Sequence, residues 1–254
     1  MRSSHPAEAL YEAPAETDQS RRDPFFALAN ASPTRPFVIA QLGQSLDGRI
    51  ATLTGHSQYI NRYAALDHLH RLRAHVDAVV VGVGTVVADD PLLNVRRVPG
   101  RHPVRVVIDA NGRLPSGAKC LRDDGVQRLV LRAEPFPTPE GVEQVMVRRL
   151  SPQALCPHSI IETLHQRGLR RILVEGGAKT ISTFMEHGAI DRLHVLVAPM
   201  IIGSGVPGIE LPPIDVVHDA LRPVTSVHVL ADGDVLFDCD LRRVALEAKA
   251  DAAE

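Results

Sequence analysis

The chain contains no tryptophan, and only three of its 254 residues are cysteine. Cys120, Cys156 and Cys239 are odd in number and far apart, which argues against a disulfide framework and against a thiolate metal site. The longest apolar run lies at 78–88, whereas a membrane-spanning helix needs ~20 apolar residues. The first residues include acids and prolines where a signal peptide would carry a continuous apolar segment. We therefore expect a cytoplasmic protein without a membrane segment.

An excess of charge of either sign is also absent. The chain has 28 Lys and Arg residues against 30 Asp and Glu residues, a formal net charge of −2. Such a surface has no bulk attraction for nucleic acid or for acidic membranes, so we expect neither as a partner. Hydrophobic residues make up 44% of the chain, enough for a sizeable core.

The composition and periodicity of the sequence change near residue 36. Residues 1–35 are rich in Ala, Glu, Pro, Ser and Arg without a sustained period, which indicates a flexible arm with one short helical turn near Phe25–Ala29. Residues 36–243 form the predicted folded domain, and 244–254 a short tail. We find no internal repeat and no second core.

Within the domain, β-like runs such as AVVVGV, VRVVIDA, RLVLR and RILVEGG alternate with helical patterns. One helix is predicted in NRYAALDHLHRLRAH with Asn61 as its N-cap, and two more in SIIETLHQRG and AKTISTFMEHG. The alternation predicts a three-layer α/β fold with a mostly parallel central sheet. The last runs, joined at 231–234, predict an antiparallel edge hairpin.

The stretch VVVGVGTVVADDP resembles a dinucleotide-binding turn but fails its requirements. The third glycine of G-x-G-x-x-G is replaced by Val87, the stretch does not follow the first strand, and Asp89-Asp90-Pro91 should end any helix after barely a turn. On local sequence alone, Gly82 and Gly84 simply end a strand.

RILVEGGAKTISTFM is a better candidate for binding phosphate. A buried strand ends at Glu175, Gly176 and Gly177 let backbone N–H groups approach a ligand, and a helix begins at Ala178. Lys179 and Thr180 add side-chain donors. The alternative is a tight turn that binds nothing.

Several motifs together resemble one family, in the same order: SLDGRIA, GHSQYI, VGVGTVVADDPLLNVR, VRVVIDANGRLP, LVEGGAKTISTF and VAPMIIG. It is the reductase domain of riboflavin biosynthesis, often fused to a pyrimidine deaminase. The resemblance implies a dihydrofolate-reductase-like fold and a homodimer. It also implies NADPH-dependent reduction of a ribosylamino-pyrimidinone 5′-phosphate to its ribitylamino form, in riboflavin synthesis or a related secondary pathway.

The resemblance also implies site residues, with no metal among the ligands. Cofactor positions would be Gly43, Tyr59, Gly82, Gly84, Thr85, Asp89, Gly176, Gly177, Ala178, Lys179 and Thr180. Substrate positions would be Ser57, Arg73, Leu93, Asn94, Arg96 and Glu175. Asp89, or a water that it holds, is the expected proton donor to the sugar ring oxygen, and its alternative role is that of a turn residue.

Residue chemistry agrees with a sugar phosphate, because guanidinium groups bind phosphate oxygens in a bidentate way. Arg73 and Arg96 are the candidates, although Arg73 at a helix end is equally typical of a solvated surface cation. Arg97 lies beside Arg96, and which of the two points inward is open. Glu175 can accept hydrogen bonds from amino or hydroxyl groups, or it can pair with Lys179 or Arg170.

Preference for NADPH requires a cation near the ribose 2′-phosphate, and Arg113 and Arg132 are both candidates. The family usually has Trp where this chain has Tyr59. The zinc deaminase signature, H-x-E with P-C-x-x-C, is absent, so we expect Cys156-Pro157-His158 to form a loop rather than a set of metal ligands. Two alternatives stay open: a pterin- or folate-type reductase, and a catalytically silent nucleotide-binding module.

Overall fold

A computed structural model describes residues 23–242, which contain thirteen strands and five α-helices. The strands are β1 Phe37–Ser45, β2 Arg49–Thr52, β3 Ala78–Gly82, β4 Val104–Ile108, β5 Arg128–Arg132, β6 Glu143–Met146, β7 Arg149–Ser151, β8 Ala154–Leu155, β9 Arg171–Glu175, β10 Arg192–Ala198, β11 Gly205–Pro207, β12 Val224–Val229 and β13 Val235–Asp240. The helices are α1 Phe26–Ala29, α2 Tyr63–His75, α3 Val83–Asp89, α4 Pro157–Gln166 and α5 Ala178–Glu186. Within that described range, each helix is too short or too polar to span a bilayer.

Nine of the strands form the central sheet, in the order β12-β13-β10-β1-β9-β3-β4-β5-β6. Six neighbouring pairs, from β10-β1 to β5-β6, are parallel. The pairs β10-β13 and β12-β13 are antiparallel. The predicted fold class is therefore confirmed: a mostly parallel sheet with an antiparallel C-terminal edge hairpin.

Alternating side chains of the strands build two cores, one on each face of the sheet. Val38, Ala40 and Leu42 of β1 pack on the face covered by α4 and α5. Phe37 and Ile39 pack on the opposite face, under α1, α2 and α3. Successive side chains of a strand point to opposite faces, so a continuous apolar run such as β1 is the expected sequence of a strand buried on both sides.

The part of the predicted arm that the structure describes is packed on the domain. Residues 1–22 lie outside the described residues, as do 243 and the predicted tail 244–254. From Phe25 onward the chain packs on the domain: Leu28 in α1 is 2% exposed and joins the core under α2, with Phe25 and Ala31 against it. Burial of these apolar side chains places the start of the packed chain before residue 36.

Three helix boundaries differ from the prediction. The N-cap of α2 is Arg62 rather than Asn61, and its first N–H groups are bound by the edge hairpin. Arg62 N donates to Asp234 Oδ2 at 2.8 Å, and Ala64 N donates to Asp232 Oδ2 at 2.7 Å.

The other two boundaries concern α3 and α4. Helix α3 runs through Asp89, longer than the single turn expected, because Asp90 takes the left-handed conformation (φ 41°) as its C-cap just before Pro91. Cys156-Pro157-His158 opens α4 instead of forming a loop, with Pro at the first helical position, where its missing N–H costs nothing.

A row of polar residues crosses the sheet under α2. Ser226, Asp238, His194, Gln41 and Glu175 occupy one register position on five adjacent strands, so their side chains share one face. Helix α2 contacts this row at two points. His68 Nε2 lies 3.0 Å from His194 Nδ1, and Arg73 forms an ion pair with Glu175.

Arg192 completes the row from the strand side, since its Nε and Nη2 donate to the two oxygens of Asp238 at 2.6 and 2.8 Å. His194 Nε2 lies 3.2 Å from Asp238 Oδ1. Burial of His68, together with the neighbouring His194, lowers the pKa of His68 from 6.5 to about 3.

We predict that His68 makes stability depend on pH. Above pH 6.5 the imidazole is neutral in both states, so it adds no pH dependence. Between pH 6.5 and about 3 the unfolded chain binds a proton that the folded protein does not. Over that window the free energy of unfolding falls as pH falls, by about 1.4 kcal/mol per pH unit for this group.

Urea unfolding of the wild type and His68→Gln at pH 4.5 to 8 measures this effect. Plotted against pH, the free energy of unfolding should change more steeply for the wild type than for the variant below pH 6, and the two plots should be parallel above pH 7. Parallel curves over the whole range would contradict the assignment.

Candidate active site

Two adjoining cavities, each of about 550 Å³, open at the carboxyl ends of the central parallel strands. This is the edge where open α/β sheets bind ligands. The first, here called the glutamate cavity, is formed around Glu175 by residues from β1, the 55–61 loop, α2 and α3. The second, the helix cavity, lies at the start of α5. Gly84, Thr85 and Gly177 line both, so ligands in the two cavities would meet at this shared wall.

The shared wall is formed by the two glycine motifs, which the sequence predicted separately. Thr85 Oγ1 accepts a hydrogen bond from Gly177 N at 3.0 Å. Gly176 has φ 107°, and a Cβ at this position would lie 2.6 Å from Thr85 Oγ1. A Cβ at Gly82 would overlap Thr180 Oγ1. The absence of side chains therefore lets α3 and α5 approach each other closely.

The helix cavity has the donors that a diphosphate requires. Gly177 N–H is bound to Thr85, so among the described residues the backbone donors without a partner in the first turn of α5 are those of Ala178 and Lys179. The side chains of Lys179 and Thr180 line the same cavity, as do Gly82 and Arg113. The site thus combines a helix N-terminus with two cationic side chains.

The two candidates for the 2′-phosphate differ in exposure. Arg113 is exposed and lines the helix cavity. Arg132 is 1% exposed, lies 3.5 Å from the buried Asp109, and stacks over the Phe136 ring at 5.2 Å. Arg132 therefore has a structural role and is not available to a ligand of the helix cavity. The prediction that it could bind the 2′-phosphate is wrong.

Three of the six predicted substrate positions, Ser57, Leu93 and Glu175, line the glutamate cavity, whereas Arg73, Asn94 and Arg96 do not. Ser57 Oγ donates to Asp89 Oδ1 at 3.2 Å, which joins the loop before α2 to the end of α3. Tyr59 is 86% exposed at the cavity mouth, with a positive φ of 66°. Gly43 and Leu93 also line this cavity.

Arg73 has a different environment from either expectation. Its Nε and Nη2 donate to Glu175 Oε1 and Oε2 at 2.7 and 2.6 Å, and its Nη1 donates to Asn94 O at 3.1 Å. With 5% exposure it is not a solvated cation, and its engaged donors leave it no free fork for a phosphate. Glu175 pairs with Arg73 rather than with Lys179 or Arg170, because α2 crosses the sheet directly above β9.

Of the two adjacent arginines, Arg96 is the more available to a ligand. Arg97 donates to Asp67 Oδ1 at 2.6 Å and lies over the Tyr63 ring at 5.3 Å. Arg96 is exposed, and within residues 23–242 its guanidinium donates only to the nearby Asn94 Oδ1, at 2.9 Å. Burial, followed by the charges of Arg73 and Arg97, lowers the pKa of Arg96. An anion beside Arg96 would relieve this repulsion.

Sequence reasoning missed several polar residues that line the cavities. Gln41 and Asn61 line the glutamate cavity, and Asn111, Gln153 and Glu210 line the helix cavity. Only Gln41 carried a usable signal, since a polar residue inside the apolar run of β1 indicates a role at the strand's end.

Two adjoining cavities at the carboxyl edge of a parallel sheet, one of them at a glycine corner and a helix start, are typical of α/β enzymes. The model of one family, the RibD C-terminal domain, matches residues 36–234. The chain belongs to this family, as its motifs indicated.

Named relatives agree. The 2,5-diamino-6-ribosylamino-4(3H)-pyrimidinone 5′-phosphate reductase of Methanothermobacter thermautotrophicus is 37% identical over 67% of this chain and 81% of its own length. RibD of Aquifex aeolicus is 35% identical over 68% of this chain and 49% of its own. A deaminase/reductase structure from Thermotoga maritima superimposes with a TM-score of 0.67 at 29% identity, covering 81% of this chain and 56% of that one. The chain thus spans about half the length of the bifunctional proteins and most of the archaeal reductase.

We predict that the two glycines of the corner respond differently to alanine. Gly176→Ala places a Cβ on a residue with φ 107° and close to Thr85, which should destabilise the fold by about 1–3 kcal/mol. Gly177→Ala is the matched control, because its added Cβ would lie at an ordinary 3.5 Å from Thr85 Oγ1. Urea unfolding measures both, and equal losses would contradict the role given to Gly176.

Proposed function

We propose that this protein reduces a ribosylamino-pyrimidinone 5′-phosphate to its ribitylamino form with NADPH, in riboflavin biosynthesis or a related pathway. The observation that carries this proposal is the pair of cavities sharing the wall at Gly84, Thr85 and Gly177. A hydride donor in one cavity and an acceptor in the other would touch there. The names of the relatives supply the chemical identity of the acceptor.

The helix cavity is assigned to the coenzyme. Gly84 and Gly177 line this cavity, and a Cβ at Gly84 would meet nothing within 4 Å, so a diphosphate could approach the backbone there. Ala178, Lys179 and Thr180 would hold its diphosphate, and Arg113 its 2′-phosphate, which favours NADPH over NADH. When bound, the reduced nicotinamide supplies the hydride.

The glutamate cavity is assigned to the pyrimidine. Arg73 fixes both oxygens of Glu175, so the carboxylate presents its remaining lone pairs in one orientation to amino or hydroxyl groups. Leu93 lines this cavity, and the nearby Arg96, which donates to Asn94 Oδ1, would bind the 5′-phosphate. No observation favours a folate site, and the named reductase relatives act on pyrimidines.

Asp89 is our candidate for the proton route. It is exposed at the cavity and accepts the Ser57 hydroxyl, so it can hold a water or a hydroxyl beside the sugar. Delivery of a proton to the ring oxygen opens the ribose as hydride reaches C1′. The chain contributes alignment of the two ligands and exclusion of water rather than a covalent step.

We further propose a homodimer and a cytoplasmic location. The edge strand β12 exposes Val227 and Val229, the latter at 76%, and Val217 before it is equally exposed. Apolar residues along an unpaired edge favour pairing with a second copy of the chain. All three cysteines are unpaired, as a reducing compartment requires.

We predict that the wild type oxidises NADPH faster than NADH, and only when a deaminated or undeaminated pyrimidine phosphate is present. Arg96→Ala should raise KM for the pyrimidine by about 10- to 100-fold, because a charge-assisted bond to phosphate is lost. Arg97→Ala is the control and should behave like the wild type, since its guanidinium is bound to Asp67.

Steady-state absorbance at 340 nm on anaerobic samples measures both variants. Coenzyme binding without turnover of either pyrimidine would indicate a silent nucleotide-binding module, and turnover of a dihydropterin alone would indicate the folate alternative. Equal KM values for the two variants would remove Arg96 from the site.

A further inference from the structure

We infer that Asn61 is a ligand-binding residue, which presents its side-chain carbonyl oxygen to an NH₂ group on the flat ring of a bound ligand, and that Asp234 of the edge hairpin sets its orientation. The inference rests on the proposed function for the identity of the ligands. It assigns a role to two residues of the matched range 36–234 that lie outside the motifs from SLDGRIA to VAPMIIG.

Asp234 is completely buried in the turn between β12 and β13, at the opposite end of α2 from Arg73 and Glu175. Its Oδ2 accepts hydrogen bonds from Asn61 Nδ2 at 3.1 Å and from Arg62 N at 2.8 Å. A buried carboxylate is costly unless it is hydrogen-bonded, and within residues 23–242 its Oδ1 has no partner, so the carboxylate depends on these two bonds, which tie the 61–62 segment to the hairpin.

The partners of Asn61 determine which way its amide points. Asn61 Nδ2 also donates to Leu196 O at 3.3 Å, so both neighbours of the nitrogen are oxygens that only accept. The amide oxygen must therefore face the other way. It lies directly against Gly43, where an added Cβ would overlap it.

Asn61 Oδ1 is thus an acceptor at the wall of the glutamate cavity, which Asn61, Gly43 and Leu196 all line. Among residues 23–242, no donor pairs with this oxygen. Arg73, by contrast, takes up part of the acceptor capacity of Glu175. A ligand donor at Gly43 would find Asn61 Oδ1 free and already oriented.

Two proposed ligands carry an NH₂ group on a flat ring: the carboxamide of the nicotinamide, and the amino groups of the pyrimidine. The nicotinamide would meet the pyrimidine at the shared wall, where its carboxamide can extend into the glutamate cavity, so both rings can reach Asn61. The shared chemistry is a primary NH₂ donor, and the experiment separates the two sources.

The test is the dissociation constant of reduced NADP and of its 3-acetylpyridine analogue, in which a methyl group replaces the NH₂, together with KM for the pyrimidine phosphate. If the nicotinamide is the donor, the wild type prefers the carboxamide by about threefold to tenfold, and Asn61→Ala removes that preference. If the pyrimidine is the donor, Asn61→Ala leaves the coenzyme ratio, that is, the ratio of the two coenzyme dissociation constants, unchanged. In that case its KM for the pyrimidine phosphate rises by a similar factor.

Asp234→Ala should reproduce the effect of Asn61→Ala, because the amide is then free to rotate. Asp234→Asn should give the wild-type coenzyme ratio and pyrimidine KM, since one side-chain oxygen can still accept both bonds. Asp232→Ala is the matched control: it removes the neighbouring cap of α2, at Ala64, without touching Asn61. A purely structural role for Asp234 would make the two alanine variants lose stability alike and leave ligand discrimination unchanged.

The inference is overturned if Asn61→Ala leaves both the coenzyme ratio and the pyrimidine KM at wild-type values. It is equally overturned if Asp234→Ala folds and behaves like Asp232→Ala in both measurements. A wild type that binds neither coenzyme form would overturn the proposed function as well, so the two failures are distinguishable.

Discussion

The bidentate ion pair between Arg73 and Glu175 is the contact on which the site depends most. Both side chains are buried, and removing one partner of such a pair costs about 3–5 kcal/mol because the other charge is left without compensation. The pair connects the last turn of α2 to the end of β9, where the glutamate cavity begins. It therefore fixes a helix, a strand end and a carboxylate at once, and Arg73 Nη1 extends the connection to the 94–96 segment.

The same helix is held at its other end and in its middle. Asp232 and Asp234 bind its N-terminus, and His68 meets His194 on the sheet. Polar contacts under a helix are energetically modest, but they allow only one register, whereas apolar packing tolerates sliding. These polar contacts lie outside the glutamate cavity, yet they fix the position of α2 and thereby one wall of that cavity. The wall between the two cavities is fixed separately, by the contact of Thr85 with the glycine corner.

The alternation of strands and helices was sufficient to predict the layers, the parallel sheet and the edge hairpin, because each depends on local periodicity. The glycine corner was also predictable, since chain direction puts the ends of β3 and β9 at one edge. Contacts between side chains that are far apart in the sequence were not predictable. Arg73 and Glu175 are 102 residues apart, Asn61 and Asp234 are 173 apart, and their pairing follows from strand order and register. Arg132 and Arg113 are equally basic in the sequence, and only the fold makes one of them buried.

The central claim is that two ligands touch at the wall formed by Gly84, Thr85 and Gly177, so that hydride passes directly between them. Single turnover with coenzyme carrying deuterium at the transferred position of its nicotinamide C4, followed by mass spectrometry and NMR of the product, tests this contact. The account predicts one deuterium per product molecule, located at C1′ of the ribityl chain. Oxidised coenzyme accompanied by a product without deuterium would contradict it.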